Sequence, residues 1–270
     1  MSSGAEAKPA GRGLGKRALK IYSGFALLYL FAPIIWIVAF SFNNPQGKFN
    51  LLWSGFTFDN WADPFKSEAL TAAFWRSLGL AAISVTLATL MGAAMAMALS
   101  KYRFRGSGLV DILLVIPLTT PEIVLAASLY TLFLNNEVGF GWITLIITHT
   151  LFCLSFVALT VKARIRGFDW RLEEASMDLG GGPWRTFSKV TFPLILPGIL
   201  AAALLSFALS IDDYIISSFN KGDTQTMPIY IWDSFKAEFR PQINVLATMI
   251  LLVSVAALLA TSIQANRRIS

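Results

Sequence analysis

Leu172-Glu173-Glu174-Ala175-Ser176-Met177-Asp178-Leu179-Gly180-Gly181-Gly182-Pro183-Trp184, running on to Pro193 and Pro197, is the longest polar-rich segment between two strongly apolar ones. Its composition reads as a short helix, a glycine turn and a second helix opened by proline. Gly180 to Gly182 permit a sharp turn because they carry no Cβ. Pro183 suits a first helical position, where its missing N–H costs nothing. A lever joined to apolar helices needs a rigid helix, a hinge and firm attachment. Glu173 to Leu179, Gly180 to Gly182, and Phe187, Phe192 and Leu194 supply these in turn.

The sequence on either side decides what the lever is attached to. The chain has 270 residues, 55% of them hydrophobic and only 14% charged, with a mean hydropathy of +0.61. Uncharged apolar runs recur, each near the twenty or so residues that a helix needs to cross a bilayer. Six are expected, near Ile21–Phe42, Ser77–Leu99, Leu109–Leu134, Trp142–Val161, Leu194–Phe219 and Ile243–Ile263. The second is rich in Ala, Gly, Ser and Thr, small residues that let helices approach closely, so it belongs inside the bundle. The third is interrupted by Pro117-Leu118-Thr119-Thr120-Pro121. Between the first and second, Glu68 to Arg76 reads as a short surface helix, with Trp53, Trp61 and Trp75 as interfacial anchors. The fold class is an all-α polytopic membrane protein. Residues 1–20 form a flexible basic tail, 21–264 one transmembrane domain carrying the loop 162–193, and 265–270 the C-terminus.

The net charge of +6 does not mark a nucleic-acid partner, because the cations sort by loop instead of forming a patch. Lys and Arg number five in the tail, three in 100–108, six in 162–190 and two at the C-terminus. The alternate loops carry three, none and three. The positive-inside bias therefore places both termini and the long loop in the cytoplasm. One cysteine, Cys153, gives neither a disulfide framework nor a cysteine metal site. The first apolar run is too long for a signal peptide and reads as a retained span.

Carboxylates inside spans are costly, about 2.5–3.5 kcal/mol on insertion scales, so they face a cavity or a partner. Glu122 follows the proline break, about 20 Å along its span at 1.5 Å per residue, and Asp212 and Asp213 lie about 27 Å along theirs. Three carboxylates in one outward half suit a cation bearing several amines. Adjacent helical residues diverge by about 100°, so one of the Asp pair at most points into a pathway, and Asp213 is favoured. Asp111 reads as interfacial. The lone histidine, His149, reads as a hydrogen-bonded interior residue; without a second His there is no metal-ligand spacing. No nucleophile–base set and no Gly-x-x-x-x-Gly-Lys-Ser/Thr loop occur, so the chain is expected to be neither an enzyme nor a nucleotide binder.

Glu174-Ala175-Ser176, three residues, Gly180, nine residues, Val190-Thr191-Phe192-Pro193 resembles the EAA loop of ABC importer permeases, with Ser176, Val190 and Phe192 as departures. Further stretches resemble the spermidine/putrescine importer permeases, in particular the second of their two paired subunits. These are Pro121 to Ala126, Thr148 to Cys153, Ser206 to Asp213 with Ser217 to Phe219, Met227 to Ile231 and Pro241 to Thr248. Asn220-Lys221-Gly222-Asp223 departs from the family's neutral turn.

The resemblance implies a type I importer permease of six transmembrane helices in a bacterial inner membrane, moving polyamines inward by alternating access. It implies a second permease subunit, two cytoplasmic ATPases that hold the ATP and magnesium, and an extracytoplasmic binding protein. Glu122, Asp212 and Asp213 would meet the polyamine. Glu173, Glu174, Ala175, Asp178, Gly180 and Pro193 would couple to the ATPases. Opines, aminophosphonates and ferric iron are the alternative solutes on the same fold. A proton-coupled secondary transporter would leave the EAA-like loop unexplained and would show internal repeats, which are not evident.

Overall fold

In lipid an unpaired backbone amide has no water to turn to, so long apolar runs satisfy their N–H and C=O groups internally as helix. The computed structural model describes residues 12–102 and 104–267, with side chains over 19–102 and 104–256. Regular structure among them is helical: α1 (Arg12–Phe40), α2 (Asp59–Ala62), α3 (Glu68–Lys101), α4 (Ser107–Thr119), α5 (Glu122–Asn135), α6 (Trp142–Ile165), α7 (Arg171–Asp178), α8 (Pro183–Thr186), a π-helical turn at Phe187–Thr191, α9 (Phe192–Asp212), α10 (Ile215–Asn220), α11 (Met227–Ala237) and α12 (Pro241–Arg267). Two isolated β-bridges, Asn43 with Phe56 and Phe49 with Phe239, are the exceptions.

Four helical segments are long and apolar enough to cross a membrane: Leu19–Phe40, Glu68–Lys101, Trp142–Ile165 and Pro183–Asp212. The α4–α5 pair makes a fifth if it counts as one broken span, and α12 contributes a shorter apolar stretch, Pro241–Ala256. Several boundaries differ from those expected. The tail was expected to run to residue 20, but α1 begins at Arg12; residues 1–11 and 268–270, the outer parts of the two expected termini, lie outside the described residues. Glu68 to Arg76 is not a separate surface helix but the start of the 34-residue α3, since nothing in it breaks the helix. The third span is broken at the end of its expected interruption. Thr120 and Pro121 are extended and α5 leaves α4 at 110°, because a residue before proline avoids the helical region.

The chain forms two compact units, one of Glu68–Phe235 and one combining the residues up to Ser67 with those from Lys236 onward. In the second of these, α1 packs along α12 while most of its apolar side chains stay exposed, as lipid-facing residues do. Its loop is fixed by amides: Asn43 donates to Asn50 Oδ1 at 2.7 Å and to Leu52 O at 2.8 Å, and Asn50 donates to Phe40 O at 2.8 Å. Trp61 stacks on Phe42 and donates its indole N–H to Ser41 Oγ.

The core of Glu68–Phe235 is the three-helix seam of α3, α6 and α9. Val85, Ala88, Ala93 and Ala96 meet Cys153, Val157, Val161 and Ile165, with Ile195, Ile199 and Ala202 closing the third side. The small residues of α3 do what their composition suggests. Gly92 is the closest approach among the α3 glycines: a Cβ there would stand 2.9 Å from Val157 Cγ1 and 3.1 Å from the Ala158 backbone N. Gly92→Val is therefore expected to destabilise the seam by about 1–3 kcal/mol, the usual cost of overpacking. Thermal unfolding in detergent checks it, and Val157→Ala should recover part of the loss.

Candidate functional site

Two groups of side chains stand out, one at the polar segment after α6 and one at the end of α9. In the first, α7 ends in a Schellman arrangement. Gly180 adopts φ +84°, its N–H donates to Met177 O at 2.9 Å, and Gly181 N–H donates to Ser176 O at 2.9 Å. The left-handed residue is the first of the Gly180–Gly182 run that sequence reading makes the hinge. Pro183 then opens α8. Ser176 Oγ and Thr186 Oγ1 lie 2.9 Å apart across the turn, so the serine that replaces the family's alanine ties α7 to α8. Pro193, which carries no N–H, stands just after the π-helical turn within the continuous helical run Pro183–Asp212.

The acidic face expected on α7 divides in two. Glu174 and Asp178 are exposed, with Ala175 between them, whereas Glu173 is buried. Its carboxylate takes Lys101 Nζ on Oε2 at 2.5 Å and Thr191 Oγ1 on Oε1 at 2.5 Å, joining α7 to the end of α3 and to the π-helical turn. Glu173 is thus an attachment point and not part of the outer face, because Lys101 and Thr191 hold its carboxylate inward. Lys101 also lies 5.6 Å above the Trp170 ring. Lys101, Thr191 and Trp170 were not found from sequence: Lys101 is 72 residues away and carries no local signal.

Burial raises the Glu173 carboxyl, but the bonds from Lys101 and Thr191 outweigh it and hold it below the usual carboxylate range. A carboxyl depressed in the folded state stabilises fully above its unfolded pKa, and that stabilisation is lost as pH falls through the folded value. The attachment is therefore complete at neutral pH and weakens only in acid below the usual carboxylate range. Protease nicking of 171–191, followed from pH 7 downward, checks this. Glu173→Gln should show the acid-type nicking already at pH 7.

The outer surface of the segment is apolar. Leu179 is 90% and Trp184 77% exposed, beside Leu172 and Met177. These exposed apolar side chains lie around the two exposed carboxylates.

The second group forms where α9 stops. Asp213 leaves the helix with extended backbone, and α10 restarts two residues on. Asp213 is buried, 6% exposed. Its Oδ1 accepts from Ile216 N–H at 3.2 Å, and its Oδ2 accepts from Ser217 N–H at 2.7 Å and Ser217 Oγ–H at 2.8 Å. The carboxylate caps α10. The far end of α10 is held by Thr144, whose Oγ1 donates to Asn220 O at 2.8 Å, and by Asn220, whose amide donates to Ala126 O of α5 at 3.5 Å. Packing of α10 on α5 brings Glu122 beside Asp213, within reach of a side-chain hydrogen bond, and into the field of Asp212.

All three carboxylates expected to share a pathway therefore do come together, but not along straight spans. The 110° turn and the break at Asp213 invalidate depths counted by helical rise. Within the pair Asp212 is exposed, whereas Asp213, the one favoured for the pathway, is buried and accepts from the first amides of α10. Glu122 is half-buried in the first turn of α5, beside an exposed stripe of Ile123, Val124 and Ser128. Asp111 is paired with Lys162. His149 is an interior hydrogen-bonded residue, as expected, 2% exposed between Ser210 and Ser217.

Residues 88–267 match the family described as "Binding-protein-dependent transport system inner membrane component". The chain is 38% identical over 239 residues to the spermidine/putrescine transport system permease protein PotC of Escherichia coli (strain K12), covering 88% of this chain and 90% of that one. It is 35% identical over 243 residues to the putrescine transport system permease protein PotI of the same organism, covering 87% and 85%. Among solved structures, a bacterial ABC transporter involved in the import of the acidic polysaccharide alginate superposes with a TM-score of 0.68 over 95% of this chain and 99% of the other. At 15% identity that likeness speaks for the fold.

Proposed function

Because the chain belongs to the family of binding-protein-dependent transport system inner membrane components, we propose that it is one permease subunit of an ATP-driven importer for spermidine and putrescine. It is a multi-pass inner membrane protein and a transport component, not an enzyme. The observation that carries the substrate reading is the carboxylate cluster. Glu122 and Asp212, drawn from helices far apart in sequence, bring carboxyl groups to one place beside the buried Asp213. A polyamine leaving water loses the hydration of several ammonium groups, and carboxylates replace it. The stabilisation is shared between sites, which keeps each one weak enough for release.

In this reading the bundle has six spans: α1, α3, the broken α4–α5 pair, α6, α9 and α12. The Lys and Arg distribution among the loops supports cytoplasmic termini and a cytoplasmic elbow. The exposed Leu179 and Trp184, rimmed by Glu174 and Asp178, seat in a groove of a partner ATPase. ATP and magnesium stay on that partner. ATP-driven closure of two ATPases moves the elbow, and Glu173–Lys101 passes the movement to the end of α3. A second permease completes the pathway and a binding protein delivers the solute.

Uptake of labelled spermidine and putrescine in cells lacking the chain, with and without its restoration, tests the proposal. ATP-dependent uptake that returns with the chain supports it and shows which amine is preferred. No response to either amine removes the polyamine and directs the test to opines, aminophosphonates and ferric iron. Transport by the lone chain under a proton gradient would replace the importer reading with a secondary transporter.

A further inference from the structure

We infer that His149 is a positioning residue for the transport pathway: it clamps the α9–α10 break and thereby fixes the division between exposed Asp212 and buried Asp213. The inference rests on the proposed pathway, and its geometry stands apart from it. His149 projects from the middle of α6. Its Nδ1 lies 2.8 Å from Ser210 Oγ, near the end of α9, and its Nε2 lies 3.0 Å from Ser217 Oγ on α10. One ring thus bridges the two helices on either side of the break. All of the bonded groups are buried.

The hydrogen-bond directions follow from proton counting. Ser217 Oγ has a single proton, which it donates to Asp213 Oδ2 at 2.8 Å. It must therefore accept from His149, so the ring proton is on Nε2. The lone pair of Nδ1 is then free to accept from Ser210 Oγ–H. A directed chain runs from Ser210 through His149 and Ser217 to Asp213, and it ends on the oxygen that also takes the Ser217 amide. Nε2 itself is 3.4 Å from Asp213 Oδ2, so Ser217 carries the direct bond. Without the ring, Ser217 Oγ loses a donor and the two sides of the break lose their common partner. Asp213 would be free to turn outward, and α10 to shift on α5 with the Glu122–Asp212 geometry.

The test uses the full chain with the subunits that co-purify with it, reconstituted in lipid nanodiscs, and compares His149→Ala, His149→Gln, Ser217→Ala and the double variant His149→Ala/Ser217→Ala. Two readouts are taken. The first is amide exchange of Ile216 and Ser217, which does not depend on the solute. The second is uptake of labelled spermidine and putrescine in cells. His149→Ala and Ser217→Ala should each speed exchange of these amides and slow uptake by about tenfold, the scale of one buried hydrogen bond in a network. The double variant should be no worse than either single one. His149→Gln, whose amide N–H can stand in for Nε2–H, should recover most of both effects.

Unchanged exchange in His149→Ala, additive losses in the double variant, or a Gln variant as impaired as Ala would overturn the clamp. If His149→Ala fails to assemble, Ser217→Ala decides in the same way, because it removes one hydroxyl from the same chain. If exchange responds as expected while the intact chain carries neither amine, the clamp stands and the substrate assignment fails.

Discussion

Gly180→Pro is expected to reduce uptake to background while the chain still reaches the membrane with its partner subunits. Gly180 holds φ +84°, which the proline ring, locked near −65°, cannot adopt. The substitution also deletes the N–H that bonds Met177 O at 2.9 Å. It further disfavours the near-helical backbone of Leu179, at φ −82° and ψ 12°, because the residue preceding a proline is driven to extended conformations. A proline placed where a helical hydrogen bond must form costs about 3 kcal/mol, which is about a hundredfold in the population of the intact elbow. The spans themselves are untouched, since the turn lies outside all of the apolar segments. Gly180→Ala should be milder, about tenfold, because a Cβ costs roughly 1–2 kcal/mol in the left-handed region and meets open space there. ATP hydrolysis by the purified complex and uptake in cells are measured together. Continued hydrolysis with lost uptake identifies uncoupling, and normal uptake by Gly180→Pro would remove the elbow from the coupling mechanism.

The elbow was legible because its chemistry is local. A glycine run followed by proline specifies a turn and a new helix without help from the rest of the chain, and the Schellman turn and α8 form where those residues stand. The close-packed role of α3 was legible for a related reason, since Gly92 and the alanines of that helix suit a close approach and little else. What could not be read is whatever depends on direction after a break. Pro121 announces an interruption but does not distinguish a kink from a 110° turn, and nothing before Asp213 signals that α9 stops there. Residues 206–219 are apolar or small apart from the two aspartates, so they pass for one continuous span. The break exists because Asp213 can cap α10 and because Ser210, Ser217 and His149 satisfy the polar groups around it, which is a tertiary arrangement. The same limit applies to Glu173: the sequence places it on a short helix, but only Lys101 and Thr191 decide which way it turns.

The double substitution Glu122→Gln/Asp212→Asn should lower polyamine uptake by about a hundredfold with assembly unchanged. Both side chains keep their size; Asp212 is exposed and Glu122 is half-buried, and as Gln the latter keeps an N–H that can still donate to Asp213. Removing a charge-assisted hydrogen bond to an ammonium group costs about 1.5–3 kcal/mol, so each single variant should fall by at least about tenfold. Because the two carboxylates feel one another, the losses should not be strictly additive. Asp213→Asn is the informative contrast. An amide can keep one acceptor oxygen, but its NH2 would face the Ser217 N–H and O–H that now donate to Oδ2, so it uncaps α10 while also removing charge. It should slow uptake and loosen α10 together, whereas the Glu122/Asp212 pair slows uptake and leaves amide exchange at Ile216 and Ser217 unchanged. Measuring uptake against exchange for the three variants thus separates the carboxylates that meet the solute from the one that holds them in place. Normal uptake in the double variant would mean that the cluster is structural throughout and that the cation finds its counter-charge elsewhere.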